Sequence, residues 1–210
     1  GCTGYIYGLQ LANSLIDSGS ARHVLVLTGD TYTKLIKEND SSLATLFGDG
    51  ASATIISTQK SKQEGPKIGT FEFGTDGSGA GLIKSTYGGF KKRDCDTETL
   101  YMNGPGIMEF TLKMVPEAVK KYLANTNTSI EDYDKVVLHQ ANKLILDRLY
   151  SKIGANNKGI VSMKETGNTV STSIPLVLED LFNNQSETIR SILLVGFGVG
   201  LSWGITSIRF

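Results

Sequence analysis

The amino-acid sequence predicts an α/β fold in which helices and strands form alternating layers. Apolar residues recur at helical spacing over 5–17 and 107–123, which predicts two amphipathic helices. Short runs rich in Val, Leu and Ile, such as 23–27 and 192–196, are bounded by polar residues and glycines, as strands are. Because helical and strand segments alternate along the chain, a layered α/β architecture follows.

The first part of the chain is predicted to hold one helix and two strands. The helix over 5–17 is followed by Gly19, at the place where a C-terminal cap belongs. Segments 23–27 and 51–57 predict buried strands, joined by a polar loop that ends in the tight turn Phe-Gly-Asp-Gly at 47–50.

A polar stretch then separates two predicted units. Residues 58–67 are mainly Gln, Lys, Ser, Gly and Pro, so we place an internal boundary there, between a unit at 1–58 and a unit at 67–210. The second unit contains the long helix, with Pro116 as a possible kink. Its other predicted elements are strands at 67–73, 135–138, 192–196 and 201–208, a helix at 142–153, and a helical stretch from Asn168 to Leu181.

Composition narrows the functional classes. In 210 residues, Lys plus Arg (21) balance Asp plus Glu (21), so no net field favours nucleic acid or an anionic membrane. Two cysteines, Cys2 and Cys95, give no disulfide framework and predict a reducing compartment such as the cytoplasm. Apolar runs fall short of the roughly 20 residues that span a bilayer, and no Cys/His cluster has metal-ligand spacing. We expect a cytoplasmic protein without a metal, a cofactor, a nucleic-acid partner or a membrane span.

Three separated residues have the chemistry of a covalent reaction centre. Cys2 enters the first predicted helix, while His139 and Asn168 occupy predicted strand-to-helix loops, where sites of α/β folds lie. A thiol can attack a carbonyl, and an imidazole and a carboxamide can donate hydrogen bonds to an oxygen that becomes negative. The amides and dipole at a helix N-terminus predict that the Cys2 thiolate is favoured.

Six motifs in order along the chain resemble β-ketoacyl-acyl carrier protein synthase III, a family of thiolase-fold condensing enzymes. The motifs are Cys-Thr-Gly at 2–4, Phe-Gly-Asp-Gly-Ala at 47–51, Met-Asn-Gly at 102–104, His-Gln-Ala-Asn at 139–142, Gly-Asn-Thr at 167–169 and Phe-Gly-Val-Gly-Leu-Ser-Trp-Gly at 197–204. The resemblance implies a thiolase-like layered α-β-α-β-α fold, present as the end of the N-terminal half and the complete C-terminal half. It also implies polypeptide before Gly1, as the start without Met indicates.

The resemblance further implies a two-step reaction. Cys2 takes an acyl group from an acyl-coenzyme A, and malonyl-acyl carrier protein then loses carbon dioxide and condenses with the acyl group. His139 and Asn168 are expected to hydrogen-bond the malonyl thioester oxygen as enolate charge develops. The tetrahedral oxyanion needs separate donors, and the backbone amides of Cys2 and Val199 are the candidates. Val199 stands where the family has a glycine, so this donation requires local dihedrals that suit a β-branched residue.

Further residues and partners follow from the same resemblance. Gly104, Met108 and Asn142 are expected to bind substrate. The expected partners are acyl-coenzyme A, an acyl carrier protein and a second copy of the chain in a homodimer.

Three alternatives stand beside this interpretation. Papain-like proteases also use Cys, His and Asn in this order, but the chain has no Cys-Gly-Ser/Ala-Cys-Trp run and its helix–strand alternation does not suit that fold. A relative with the same fold could transfer the acyl group to an alcohol or amine, or release it to water. The chain could also be a non-catalytic dimer partner or an inactive truncated fragment.

Overall fold

The computed structural model describes residues 1–58, 65–85, 100–184 and 188–210. The helices are α1 (Gly4–Asp17), α2 (Ser41–Ala44), α3 (Gly104–Thr126), α4 (Lys143–Lys152) and α5 (Ser173–Asn183). The strands are β1 (His23–Asp30), β2 (Gly50–Ser57), β3 (Lys67–Ile68), β4 (Glu72–Thr75), β5 (Ile83–Ser85), β6 (Leu100–Met102), β7 (Lys135–Leu138), β8 (Ser191–Gly198) and β9 (Ser202–Arg209). Cys95 and most of the predicted boundary at 58–67 lie outside the described residues.

Two sheets organise the chain. The smaller one is the antiparallel pair β1–β2, in register from His23 opposite Ser57 to Asp30 opposite Gly50. The larger one has the order β3-β9-β8-β7, with β4 also pairing with β9. Within it β7 runs parallel to β8, while β8 and β9 form an antiparallel hairpin. A short antiparallel ribbon, β5–β6, lies apart from both sheets.

The helices divide into two layers. Helix α1 contacts β1 on one side and β8 and β9 on the other, and α5 contacts β2 and β7, so both helices lie between the sheets. Helices α3 and α4 contact each other, and α3 also contacts β8 and β9 from the opposite side of the large sheet. The described residues thus form four of the five predicted layers, in the order β-α-β-α.

Each interface between layers has its own apolar core. One cluster joins α3 and α4 to the large sheet through fully buried side chains such as Val119, Leu146 and Leu193. A second cluster joins α1 and α5 to both sheets, with Ile6, Ile174 and Leu194 at 0% exposure. A third, smaller cluster surrounds Cys2 and includes Leu43, Phe47 and Val170.

Segments 23–27 and 51–57 are strands, as predicted, but the prediction that these strands are buried is wrong. Both strands form, but in β1 only Val26 is buried, and Leu25, Leu27 and Ile55 are 55%, 68% and 70% exposed. The reason is that α1 and α5 cover one face of this two-stranded sheet, and no described helix covers the other.

Two other predicted elements differ in their bounds. The strand expected over 67–73 is divided into β3 and β4, because its register with β9 shifts by one residue between Ile68, opposite Ile208, and Glu72, opposite Ile205. The helix expected over 107–123 begins at Gly104, because the Asn103 side chain caps it by accepting the Gly106 N–H at 3.0 Å. Pro116 lies inside this helix, as expected.

Candidate active site

Cys2, His139 and Asn168 line one cavity of about 70 Å³, which also contains Gly104 and Asn142. The fold brings them together because Cys2 precedes α1, His139 follows β7 and Asn168 precedes α5. The cavity wall is mainly apolar. Its apolar members are Tyr32, Leu46, Phe47, Ile83, Met102, Ile107, Ala141, Ile145, Phe197 and Val199.

The Cys2 thiol is buried in the turn that leads into α1. Its residue is 7% exposed, and the turn is closed by the Gly4 N–H, which donates to the Gly1 carbonyl at 2.7 Å. Burial raises the pKa of the Cys2 thiol to about 11, and the hydrogen bond from the Val199 amide opposes this only in part. The structure therefore does not support the prediction of a readily formed thiolate, because desolvation outweighs the helix N-terminus.

Two backbone amides face the sulfur. The N–H groups of Val199 and of Cys2 itself hydrogen-bond the thiol and act to lower its pKa. Among the described non-glycine residues only Asn127 and Val170 have positive φ, so Val199 occupies ordinary backbone space. A β-branched residue therefore fits this loop without strain, and its amide can still face Cys2.

His139 is a neutral imidazole held by backbone and hydroxyl groups. Its backbone N–H donates to the Val195 carbonyl at 2.8 Å, and its Nδ1 lies 2.7 Å from Ser173 Oγ. Burial is the main reason that the pKa of His139 is lowered to about 3, and a hydrogen bond to the Val170 backbone acts in the opposite direction. At neutral pH the ring is uncharged, which suits a hydrogen-bond donor better than a strong base.

Asn168 is fixed by the loop that follows α2. Its N–H donates to the Leu46 carbonyl at 2.9 Å, and its carbonyl accepts the Gly48 N–H at 3.1 Å, forming a single parallel bridge with Phe47. No described strand precedes it, so the expected strand-to-helix loop is absent at this residue. The backbone of Asn168 is thus held by a segment from the first part of the chain, and Phe47 of that segment belongs to the same apolar cluster as Cys2.

The Asn168 carboxamide is oriented by its neighbours. Its Oδ1 accepts the Val170 N–H at 2.9 Å, and its Nδ2 donates to the Ala141 carbonyl at 3.4 Å. Val170 has φ 55° and is fully buried, an unusual conformation for a β-branched residue that costs about 1–3 kcal/mol. The surrounding contacts maintain this strained turn, which links Asn168 to His139.

The predicted substrate-binding residues are only partly in the cavity. Gly104 and Asn142 line it, and Asn142 also caps α4 by accepting the Ile145 N–H at 2.8 Å. Met108 does not line it and packs instead against the core cluster between α3 and the large sheet. Its neighbour Ile107 lines the cavity, because one residue along a helix turns a side chain by about 100°.

Several cavity residues could not be identified from periodic patterns in the sequence. The rings of Tyr32 and Phe47 are in contact at a tilt of 35°, with centroids 5.1 Å apart, and burial raises the pKa of Tyr32 to about 12. Ile83 and Met102 come from the short ribbon β5–β6. These residues lie outside the long helices and strands, so no periodic pattern marks them. The motifs 47–51 and 102–104 are the sequence features that indicate Phe47 and Met102.

Two further observations concern the described residues alone. They contain no group of three or more His, Cys, Asp or Glu side chains placed to hold a metal ion. They also include no helix with the length and apolar character needed to cross a membrane.

The layered sheets and the central pair of helices, with Cys2 and Asn168 each placed before one of them, define a thiolase-fold protein. Two family models identify the family within this fold. The model of 3-oxoacyl-[acyl-carrier-protein] synthase III matches residues 1–77, and the model of the C-terminal part of that protein matches residues 123–210. The chain belongs to the β-ketoacyl-[acyl-carrier-protein] synthase III family, as its motifs predicted.

Individual relatives agree in sequence and structure. The chain is 35% identical to the β-ketoacyl-[acyl-carrier-protein] synthase III of Lactococcus lactis, over 99% of the chain and 66% of that relative. A solved 3-oxoacyl-(acyl-carrier-protein) synthase III matches with a TM-score of 0.92 and 42% identity, over 100% of the chain and 67% of the other. The priming β-ketosynthase of the R1128 polyketide pathway matches with a TM-score of 0.87 and 30% identity, over 100% and 63%. The chain spans about two thirds of the length of these relatives.

Proposed function

We propose that the protein is a condensing enzyme of the β-ketoacyl-acyl carrier protein synthase III type, which serves fatty acid or related polyketide-type biosynthesis. The observation that carries the proposal is the convergence of Cys2, His139 and Asn168 on one largely apolar cavity. Family membership supports the proposal, because relatives named β-ketoacyl-acyl carrier protein synthase III align with nearly the whole of the chain.

The first half-reaction is acyl transfer to Cys2. The sulfur attacks the thioester carbonyl of an acyl-coenzyme A, and the amides of Cys2 and Val199 stabilise the tetrahedral oxyanion. When the intermediate collapses, the bond to the coenzyme A sulfur breaks. The proton lost from Cys2 ends on the departing thiolate, so the products are acyl-cysteine and free coenzyme A. Because the thiol pKa is about 11, proton removal belongs to the barrier of this step.

The second half-reaction is decarboxylative condensation with malonyl-acyl carrier protein. Loss of carbon dioxide leaves its electron pair on the malonyl α-carbon, and the charge spreads to the thioester oxygen. His139 and Asn168 donate hydrogen bonds to that oxygen, and the neutral state of the buried imidazole suits this role. The carbanion then attacks the acyl-cysteine carbonyl and expels the Cys2 thiolate, which regains a proton.

The proposal is tested by separating the half-reactions. Incubation with a panel of acyl-coenzyme A compounds, followed by intact mass and peptide mapping, should give an acyl adduct on Cys2 that Cys2→Ala abolishes. His139→Ala and Asn168→Ala should lower carbon dioxide release from malonyl-acyl carrier protein by ~10²- to 10³-fold, with a smaller effect on acylation. Full condensation by Cys2→Ala would refute the nucleophile, and equal loss of both half-reactions would refute the division of roles.

The same assays separate the alternatives. An acyl adduct without carbon dioxide release would identify an acyltransferase or a thioester hydrolase on this fold. Failure of both half-reactions in the folded protein would identify a non-catalytic dimer partner or an inactive truncated fragment. As partners we propose an acyl carrier protein and a second copy of the chain, and as location the cytoplasm. Light scattering tests the homodimer, and a monomer would reject it.

A further inference from the structure

Two hydroxyl groups outside the cavity connect the turn that carries Cys2 to the loop that carries Val199. Ser202 Oγ donates to the Val199 carbonyl at 2.9 Å, and Thr3 Oγ1 lies 2.9 Å from Ser202 Oγ. Since Ser202 uses its only proton on Val199, Thr3 must donate to Ser202. The order of donation is therefore fixed from Thr3 through Ser202 to Val199.

This short chain of hydrogen bonds is buried. Thr3 is 4% exposed and Ser202 9%, so water does not compete well for either hydroxyl. The single proton of each hydroxyl is used in this chain, since Thr3 donates to Ser202 and Ser202 donates to Val199. Neither side chain lines the cavity, and the proposed reaction assigns no step to them.

The loop that carries Val199 is short and lies next to Cys2. Only residues 199–201 connect Gly198 to Ser202, which are paired at the end of the hairpin. On its outer side the loop is held by Asp76, whose backbone exchanges two 2.8 Å hydrogen bonds with Leu201. On its inner side, toward Cys2, the described hydrogen bond that fixes the Val199 carbonyl comes from Ser202.

We propose that Thr3 and Ser202 are positioning residues that hold the Val199 amide against the Cys2 sulfur. The two hydroxyls connect the residue next to Cys2 with the residue whose N–H faces it, so the distance between thiol and amide is set by hydrogen bonds instead of by packing alone. This inference rests on the proposed oxyanion role of Val199 for its catalytic meaning. The anchoring itself can be measured without substrate.

The experiment follows alkylation of Cys2 by iodoacetamide at pH 8, with peptide mapping to separate its adduct from any adduct on Cys95. Ser202→Ala should slow alkylation by about 3- to 10-fold, because the thiolate loses a donor and each unit of thiol pKa changes the thiolate fraction tenfold. Ser202→Thr keeps the hydroxyl and should retain the rate. The pH profile of Ser202→Ala should move to higher pH.

Matched variants exclude a merely structural effect. Ser207→Ala removes another buried hydroxyl from the same strand, one that accepts from Tyr122 at 3.1 Å far from Cys2, and should leave alkylation unchanged. Thr3→Val should reproduce the slowing with Thr3→Ser as its control, which keeps the test available if Ser202→Ala does not fold.

Two results would overturn the anchoring: alkylation at the original rate in folded Ser202→Ala and Thr3→Val, or equal slowing in Ser207→Ala. Because alkylation needs no acyl-coenzyme A or carrier protein, it reports on the anchor even where acyl transfer and condensation fail. Those two assays report on the proposed function.

Discussion

Two regions of the molecule each place a candidate site residue before a helix and an antiparallel pair of strands, but their surroundings differ. In the first region (1–57), Cys2 precedes helix α1, and the pair β1–β2 follows, with α2 in the long connection between the two strands. In the second region (168–209), Asn168 precedes helix α5, which is followed by the hairpin β8–β9. Strands β8 and β9 belong to a larger sheet, where β8 is buried in all but its last residue and β9 over most of its length, whereas β1 and β2 form a sheet of two with one exposed face.

The difference teaches that burial of a strand is set by its neighbours and not by its own residues. The segments His-Val-Leu-Val-Leu in β1 and Ser-Ile-Leu-Leu-Val in β8 are similarly apolar. Strand β8 is paired on both sides, by β7 and β9, and its two faces are covered by α1 and α3. Among the described residues, β1 has only β2 as a partner and only α1 and the turn before α5 against it.

The largest expected effect is on the free energy of unfolding, when one leucine from β8 and one from β1 are each replaced by alanine. Leu194→Ala in β8 should lower the free energy of unfolding by about 2–5 kcal/mol, because it leaves a cavity in a fully buried core. Leu25→Ala in β1 should change it by at most about 0.5 kcal/mol, because that side chain is 55% exposed. Urea titration of both variants gives the comparison. A large loss in Leu25→Ala would mean that this face is covered in the protein in solution.

The second prediction concerns the contact between Gly198 in the hairpin β8–β9 and the Cys2 thiol. A Cβ at Gly198 would lie 2.7 Å from Cys2 Cβ and 2.8 Å from its Sγ. Gly198→Ala should therefore displace the thiol and slow acyl transfer by ~10²-fold. The control is Gly29→Ala near the end of β1, where the added Cβ would meet only Ala51 at 3.8 Å. Equal rates of acyl transfer in both variants would show that the close contact between Gly198 and Cys2 does not affect the reaction.

A third prediction concerns the neutral imidazole of His139, which lies between the two regions in the sequence. The pKa of His139 is about 3 in the folded protein and about 6.5 in the unfolded chain, so the unfolded chain binds more protons between these values. Stability from this residue is fully present above pH 6.5 and is lost as the pH falls toward 3, with a slope of up to ~1.4 kcal/mol per pH unit. His139→Gln should flatten that dependence in urea titrations from pH 7 to 4. An unchanged slope would place the acid sensitivity elsewhere.

The smallest expected effect separates two roles of Asn142. Its side chain caps α4 through the Ile145 N–H, so Asn142→Ala should cost about 1 kcal/mol of stability. Asn142→Asp and Asn142→Ser retain an acceptor and should recover most of it. If the capping variants restore stability but not the Michaelis constant for malonyl-acyl carrier protein, Asn142 also binds substrate. Full recovery of both would limit it to the cap.

Much of this comparison could be predicted from the sequence, and the rest depended on contacts between distant segments. Local patterns sufficed for α1, α3, β7 and the hairpin β8–β9, because periodic apolar residues and flanking glycines mark them. The reactive trio could be selected because its motifs are short, ordered and chemically distinctive. The thiol pKa could not be predicted, since desolvation of Cys2 depends on side chains from residues 32 to 199. Likewise Met108 and Ile107 differ by one helical position, which spacing alone cannot resolve.

The bridge between Phe47 and Asn168 has a consequence for how the protein folds. It joins residues separated by more than half of the chain, and the backbone of Asn168 is bonded on both sides to Leu46 and Gly48. Contacts with such long loops close slowly, because much chain entropy is lost before the contact forms. A newly made chain therefore has its cysteine long before it has the donors that act with it. The cavity lined by Cys2, His139 and Asn168 is therefore complete only after this long-range contact has formed.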